Sequence, residues 1–376
     1  MRMTASVMFE QGLPKPYITS EPFRIDEVEL EAPGQGEVLV EVRAGGLCHS
    51  DLSQVAGQRK RRLPVVGGHE GAGIVRELGS GVKGLKVGDH VVMSGAPGCG
   101  RCRTCGENRP NLCEGSGAAR ARGLLPNGER RLSRNGEAVY HYSGLSCFAQ
   151  YAVVMPDALI RIDPSVPLDI AALFGCGVVT GAGAVFNAAK VTPGRSVAVI
   201  GLGGVGLSAV MAAAISGASE IIGIDIVESK FPLARELGCT HTFSARDQAL
   251  AEAVKDLTAG GVDFAFEVSG HESAVATAYE VTRRGGEIVC VGLGALEDMY
   301  RYPHSRLVSE EKVVRGTFMG SGNAIGDIPR YVKYFLDGRM PVDRLKSGTM
   351  TFDGLNKALD LLDRGAVTRE ILLPNS

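Results

Sequence analysis

The 376-residue sequence carries almost no net charge: 40 lysines and arginines against 42 aspartates and glutamates leave −2. That balance excludes a dedicated nucleic-acid binder, which needs a basic surface for phosphates. No internal repeat, low-complexity linker or glycine period is present, so the chain is not collagen-like. Residues Met1–Glu10 contain neither an apolar h-region nor a small-residue cleavage site, and no secretory signal is expected there. Hydrophobic residues still make up 44%, enough for sizeable cores and incompatible with intrinsic disorder. At roughly 150 residues per domain, two or three domains are expected.

Glycine and cysteine are abundant, at 51 and nine residues. Glycines without a period mark backbone that needs positive φ or close approach. Two uncharged runs, Ser196–Ser219 and Ile170–Ala189, have the length of membrane spans. The first holds five glycines in a strand–turn–helix pattern, and the second is broken by Gly175, Gly177, Gly181 and Gly183. Neither is read as a span, and no membrane partner is expected.

From about Gly194 onward, β-branched runs alternate with stretches of helical spacing. Val197–Gly201, Glu220–Asp225, Thr240–Ser244, Asp263–Val268, Glu287–Gly292 and Val313–Thr317 read as strands. Val205–Ser216, Ser229–Leu237, Gln248–Thr258 and Glu272–Arg283 read as the helices between them, with capping glycines at Gly217 and Gly238. This alternation predicts an α/β doubly wound parallel sheet. Before about residue 178, Val38, Val40 and Val42 alternate, and Gly73–Leu78 and His90–Met93 are strand-like, which predicts a mostly antiparallel β domain. The tail from about 320, with helical stretches at Ile328–Leu336 and Gly354–Asp363, is expected to pack back on that first domain.

Four of the cysteines, Cys99, Cys102, Cys105 and Cys113, form C-x2-C-x2-C-x7-C. Thiolates this close can wrap one tetrahedral zinc, and closed four-cysteine sites are structural. A disulfide cluster is the competing reading, disfavoured without secretion. Cys48, His69 and Cys176 are dispersed but could together hold a catalytic zinc with one vacant position. Asp51 and Glu70 stand beside them as orienting carboxylates. Sequence alone leaves open whether the three converge: a lone cysteine is usually core, and a lone histidine is usually just hydrogen-bonded. Cys290 reads as a small strand hydrophobe, while Cys147 and Cys239 have no evident role.

In Val197-Ala-Val-Ile-Gly-Leu-Gly-Gly-Val-Gly, a strand runs into G-x-G-x-x-G and then a helix. Gly201 serves the tight turn, Gly203 the approach of a pyrophosphate, and Gly206 helix–strand packing. Asp225 ends the next strand, nineteen residues after Gly206. A carboxylate there accepts from a ribose 2′-OH and repels a 2′-phosphate, which predicts NAD over NADP.

Cysteine ligand, Gly-His-Glu, four-cysteine lobe, Gly-Cys-Gly and dinucleotide turn, in that order along the whole chain, resemble the zinc-dependent medium-chain alcohol dehydrogenases. The resemblance implies a GroES-like catalytic domain from residues 1–177 and 320–376, with a structural-zinc lobe at about 95–115. Residues 178–319 would form a Rossmann NAD-binding domain. It implies two zincs per chain, the catalytic one on Cys48, His69 and Cys176 with Glu70 able to approach it. Ser50 fills the hydroxyl position that bonds the substrate oxygen. His49 and Arg369 match contacts of the cofactor pyrophosphate, and Lys230 one near the adenosine ribose. Val268, Val291 and Phe318 match positions that line the cofactor. The long Glu114–Ser146 segment implies a homodimer of the animal-type branch, expected in the cytoplasm.

The resemblance further implies an alcohol activated at zinc, hydride transfer to the nicotinamide, and proton exit through Ser50. The relay departs from the animal-type pattern, because Ser53 stands where a histidine often ends it. Gly95 and Ala118 replace bulky pocket residues, which predicts a wide pocket for aromatic, branched or longer primary alcohols. A thiol-conjugate formaldehyde dehydrogenase is the alternative within the family, and a catalytically silent cofactor-binding member the alternative outside enzymes. The stretch from Arg59 to Arg134 contains 15 basic and 6 acidic residues, a local +9 headed by Arg59-Lys60-Arg61-Arg62. It could steer an anionic substrate, conjugate or cofactor, or be a solvated face.

Overall fold

The structure is a computed structural model describing residues 1–376, and it divides into two compact units. The first comprises Met1–Gly177, Asn323–Leu336 and Val342–Ser376; the second comprises Val178–Gly322 and Asp337–Pro341.

Two sheets build the first unit. Arg2–Met8, Phe23–Leu30, Leu132–Arg134, Glu137–His141 and Val65–Val66 close into a barrel. Met3, Ala5, Val7, Val28, Leu30, Leu132 and Val139 pack together there, and closure through the pairing of Val65–Val66 with Arg2–Met8 leaves that sheet no open edge. The second sheet runs Leu159–Arg161, His90–Ser94, Glu70–Leu78, Val38–Gly46, Arg369–Leu372, Lys346–Met350, with Tyr151–Val154 also on Val38–Gly46. Val38, Val40 and Val42 point to its core, as their alternation predicts. The C-terminal tail joins this sheet: Ile371 and Leu372 pair antiparallel with Gly46 and Gly45. Helix Leu355–Asp363 covers it with Leu355, Ala358, Leu359 and Leu362, a stripe at helical spacing.

The second unit is a six-stranded parallel sheet. Its spatial order is His241–Ser244, Glu220–Asp225, Ser196–Ile200, Val262–Glu267, Thr282–Cys290, Val313–Gly316. Numbered along the chain this is 3-2-1-4-5-6, the doubly wound dinucleotide-binding order. Element ends shift modestly from expectation. Helix Glu272–Val281 yields at Thr282 to a strand longer than the Glu287–Gly292 run predicts. Pro232 stands in the first turn of Phe231–Glu236, where its fixed φ suits a helix start. Helix Gly204–Ile215 buries residues on every side, which accounts for the apolar run at Ser196–Ser219. No single helix is long and apolar enough to cross a membrane.

Candidate functional site

Three loops at neighbouring strand ends deliver the first cluster. Strand Val38–Gly46 leads to Cys48, the N-cap of helix His49–Val55. His69 stands directly before Glu70–Leu78, the strand that pairs with Val38–Gly46. Cys176 follows the 3-10 turn Ala172–Gly175, which closes tightly on the sheet: a Cβ at Gly175 would lie 2.3 Å from the Met93 carbonyl oxygen. One ligand atom each from Cys48, His69 and Cys176 lies within 4.8 Å of the others, and all three residues are buried.

Asp51 organises two of these ligands. Its Oδ2 accepts the Cys48 amide at 3.0 Å, and its Oδ1 lies 3.1 Å from His69 Nδ1. His69 Nε2 is then left buried without a hydrogen-bond partner. The Cys48 thiol is held well below its ordinary range by the Cys176 hydrogen bond, with Arg369 and His69 adding to it against burial. A thiolate is the ligating form, so this donor set fits a zinc with three protein ligands and one open position.

Glu70 is also buried, and its Oε2 accepts the Gly177 amide at 3.3 Å. Its Oε1 lies 3.6 Å from Arg369 Nε. Burial pushes the Glu70 carboxyl up to about 7, against the pull of Arg369. Arg369 is only 3% exposed, so it is no surface cation.

The second cluster is local. Cys99, Cys102, Cys105 and Cys113 also place their ligand atoms within 4.8 Å of one another. The Cys99 amide donates to Cys113 Sγ at 3.3 Å, and Cys102 is drawn down to about 5, first by the Thr104 hydroxyl and then by the Cys105 amide. All nine cysteines are free, so the disulfide reading of this lobe does not hold. Four thiols around one point fit a closed zinc site.

In the second unit, Gly201, Asp225, Val268, Val291 and Phe318 all stand at or just past the carboxyl ends of parallel strands, where such sheets bind ligands. Gly201 has φ +105°, and a Cβ on Gly206 would fall 1.8 Å from the Gly201 carbonyl oxygen. Gly203 faces open space at the start of helix Gly204–Ile215, leaving the N-terminal amides accessible to an anion. Asp225 pins the turn by accepting the Leu202 amide at 2.7 Å, and it pairs with Lys230 at 3.0 Å. The turn therefore fits a dinucleotide.

Two family models match the chain: the alcohol dehydrogenase GroES-like domain over residues 34–164 and the zinc-binding dehydrogenase over residues 204–336. An S-(hydroxymethyl)glutathione dehydrogenase of Synechocystis sp. is 38% identical, with 99% of this chain and 100% of that protein covered. The protein of that name from Paracoccus denitrificans is 35% identical, at 99% and 100% coverage. Among solved structures, benzyl alcohol dehydrogenase from Acinetobacter calcoaceticus superposes with a TM-score of 0.92 at 34% identity, covering 99% of each chain.

The chain belongs to the zinc-dependent medium-chain alcohol dehydrogenases.

In this dehydrogenase, His49 and Ser50 occupy the first turn of the helix that Cys48 caps, with His49 exposed and Ser50 half-buried. Tyr142, which no local pattern marks, is part of the same site. Its ring meets His69 edge-on at 5.1 Å, and its hydroxyl donates to the Ser50 carbonyl at 3.4 Å. Position 95 is not simply empty. A Cβ there would have 3.6 Å to His69 and Ser143, but Arg120 Nη1 donates to the Gly95 carbonyl. Ala118 is exposed. The leftover thiols are structural: Cys147 donates to the Glu70 carbonyl at 3.3 Å, and Cys239 packs beside Gly223.

Proposed function

We propose that this zinc-dependent dehydrogenase oxidises a hydroxymethyl group with NAD+, as RCH2OH + NAD+ → RCHO + NADH + H+. The observation that carries it is the buried Cys48–His69–Cys176 triad with its orphaned His69 Nε2. When bound there, zinc supplies the Lewis acidity that lowers an alcohol's pKa, and the dinucleotide accepts the hydride. Asp51 fixes the His69 tautomer and presents Nε2. Ser50 takes the substrate hydroxyl proton and passes it on, and Ser53, no base at neutral pH, leaves water to receive it. Asp225 favours NAD over NADP by repelling a 2′-phosphate.

For the substrate, an S-hydroxymethyl thiol conjugate is the reading that the two glutathione-conjugate relatives support over the wide-pocket alcohol. The second reading, an aromatic or longer primary alcohol, is favoured by the room at Gly95 and by the benzyl alcohol relative. A cytoplasmic homodimer belongs to the same proposal. Nine cysteines without a disulfide suit a reducing compartment, strand Val313–Gly316 ends its sheet with an unpaired edge, and Leu296 and Met299 of the same unit are 80% and 89% exposed.

The test is NAD+-coupled turnover of an alcohol panel and of formaldehyde with and without added thiols, on zinc-assayed protein, with and without chelator. Turnover of formaldehyde only with a thiol establishes the conjugate reading. Benzyl alcohol turned over while formaldehyde plus thiol is inert establishes the second. No chelator-sensitive turnover of any alcohol sinks both.

A further inference from the structure

Glycines surround one of the metal ligands: Gly67 and Gly68 precede His69, and Gly71 follows Glu70. The fold shows what needs the room. A Cβ on Gly68 would lie 2.8 Å from Cys147 Sγ, and one on Gly71 would lie 2.8 Å from Cys147 Cβ. A Cβ on Gly67 would lie 2.9 Å from the Phe148 ring. Gly68 also has φ +87°, a conformation that glycine adopts freely. The fully buried Cys147 side chain is therefore wedged against the backbone on both sides of the His69–Glu70 pair.

Hydrogen bonds fix the wedge to the same backbone. The amides of Cys147 and Phe148 donate to the carbonyls of Gly68 and Gly67, at 3.2 and 3.0 Å. The Ser146 hydroxyl donates to the Val66 carbonyl and accepts the Tyr142 amide, each at 3.0 Å. The Cys147 thiol completes the series by donating to the Glu70 carbonyl at 3.3 Å. The carbonyls of Val66, Gly67, Gly68 and Glu70 are thus all engaged by one turn. That turn carries strain, because Ser143 and Ser146 stand at φ +53° and +54°, values that residues with a side chain hold only where their surroundings impose them. It also sets the Tyr142 ring edge-on to the His69 imidazole, at 5.1 Å.

We infer that Cys147 is a positioning residue for the metal ligand His69. Through its bulk and its hydrogen bond it sets the backbone from which the imidazole projects, and Asp51 then sets the tautomer of the ring. A cysteine that only filled the core would need neither a bond to the strand carrying the ligand nor glycines on both sides of that ligand. Sulfur suits the place. A thiol is a donor, if a weak one, and it has the bulk to fill the gap between Gly68 and Gly71. A close-packed interior passes its position on to the backbone it touches. The inference rests on the reading of Cys48, His69 and Cys176 as a zinc site.

The test uses the full chain carrying Cys147→Ala, Cys147→Ser or Cys147→Val, with Cys239→Ala, a buried thiol of the other unit, as control. Cobalt(II) is the probe, because a site of two thiolates and one imidazole and a site of four thiolates differ in their visible bands. Cys147→Ala is expected to lower the metal affinity of the triad about tenfold in chelator competition and to shift its cobalt bands, while the four-cysteine lobe keeps both. Cys147→Ser, which retains a donor, recovers most of that affinity, and Cys147→Val, which retains only bulk, recovers less. Cys239→Ala lowers Tm and moves neither site. Unchanged triad affinity and bands in Cys147→Ala, equal losses at both sites, or a triad shift in Cys239→Ala overturns the inference. Should Cys147→Ala not fold, triad affinity equal in Cys147→Ser, Cys147→Val and the parent overturns it. His69 is also followed without metal, through the ring-nitrogen resonances of histidine-labelled protein, assigned by their loss in His69→Gln. They move in Cys147→Ala and stay in Cys239→Ala; resonances fixed in both overturn the inference. If the parent protein binds no metal at the triad, the zinc reading fails, and these resonances alone decide the role of Cys147.

Discussion

One carboxylate oxygen of Asp51 accepts the Cys48 amide and the other faces His69 Nδ1. The same side chain thus caps a helix and sets a tautomer. Asp51→Asn keeps the shape but replaces one oxygen with an amide donor. Zinc affinity, measured by chelator competition, is expected to fall about ten- to a hundredfold, as for other orienting partners of metal histidines. Unchanged affinity would show that His69 needs no orientation. Ser50 and Ser53 share a helix, but the proposed proton path uses only Ser50. Ser50→Ala should lower kcat by roughly a hundredfold or more, while Ser53→Ala should barely change it. Small, equal losses from both would remove Ser50 from the proton path.

The glycine-rich turn works as a unit with its helix, because Gly206 leaves no room between helix and turn. Gly206→Ala must push the Gly201 carbonyl away and open the turn. NADH affinity, followed by fluorescence, is expected to fall about tenfold or more, while zinc content stays unchanged because both cysteine clusters lie in the other unit. Strand Glu137–His141 carries a different signature. Burial pulls His141 down to about 4, and its Nε2 accepts the Arg131 amide at 3.2 Å. Between pH 6.5, its ordinary value, and 4 the unfolded chain binds a proton that the folded chain does not. Stability is therefore present above this window and lost as pH falls through it. His141→Asn should flatten the fall of Tm across that range, and an identical slope in both proteins would exclude His141 as its cause.

At the scale of the molecule, the two metal clusters differ in access. The Cys48–His69–Cys176 triad is buried, while three of the four lobe cysteines are half-exposed. Metal analysis during chelation should find two zincs per chain leaving at distinct rates. Loss of the triad zinc should abolish turnover with little change in Tm, and loss of the lobe zinc should lower Tm. One zinc per chain in fully active protein would contradict this arrangement. Both ends of the chain build the first unit, since Arg369–Leu372 pairs with Val38–Gly46. Arg369 reaches Glu70 from that strand, so the last residues are part of the triad's surroundings.

Chemistry carried by short spacing was legible in the sequence alone. The four-cysteine lobe, the glycine turn with Asp225 and the alternation of strands and helices depend on neighbours within one element or loop, and local geometry sets their form. The order of motifs added the family. Tertiary structure alone decided what depends on distant segments meeting. It brought Cys48, His69 and Cys176 to one point, placed Tyr142 against His69, and set the buried Arg369 beside Glu70. It also resolved the charge balance from which the sequence began. The near-zero total concealed a basic stretch, and folding pairs Arg76, Arg131 and Arg134 with the distant carboxylates Glu41, Glu37 and Asp26 while setting Arg61 over the Tyr142 ring. Charge is summed along a chain but neutralised in space, so no count of residues could show which cations remain.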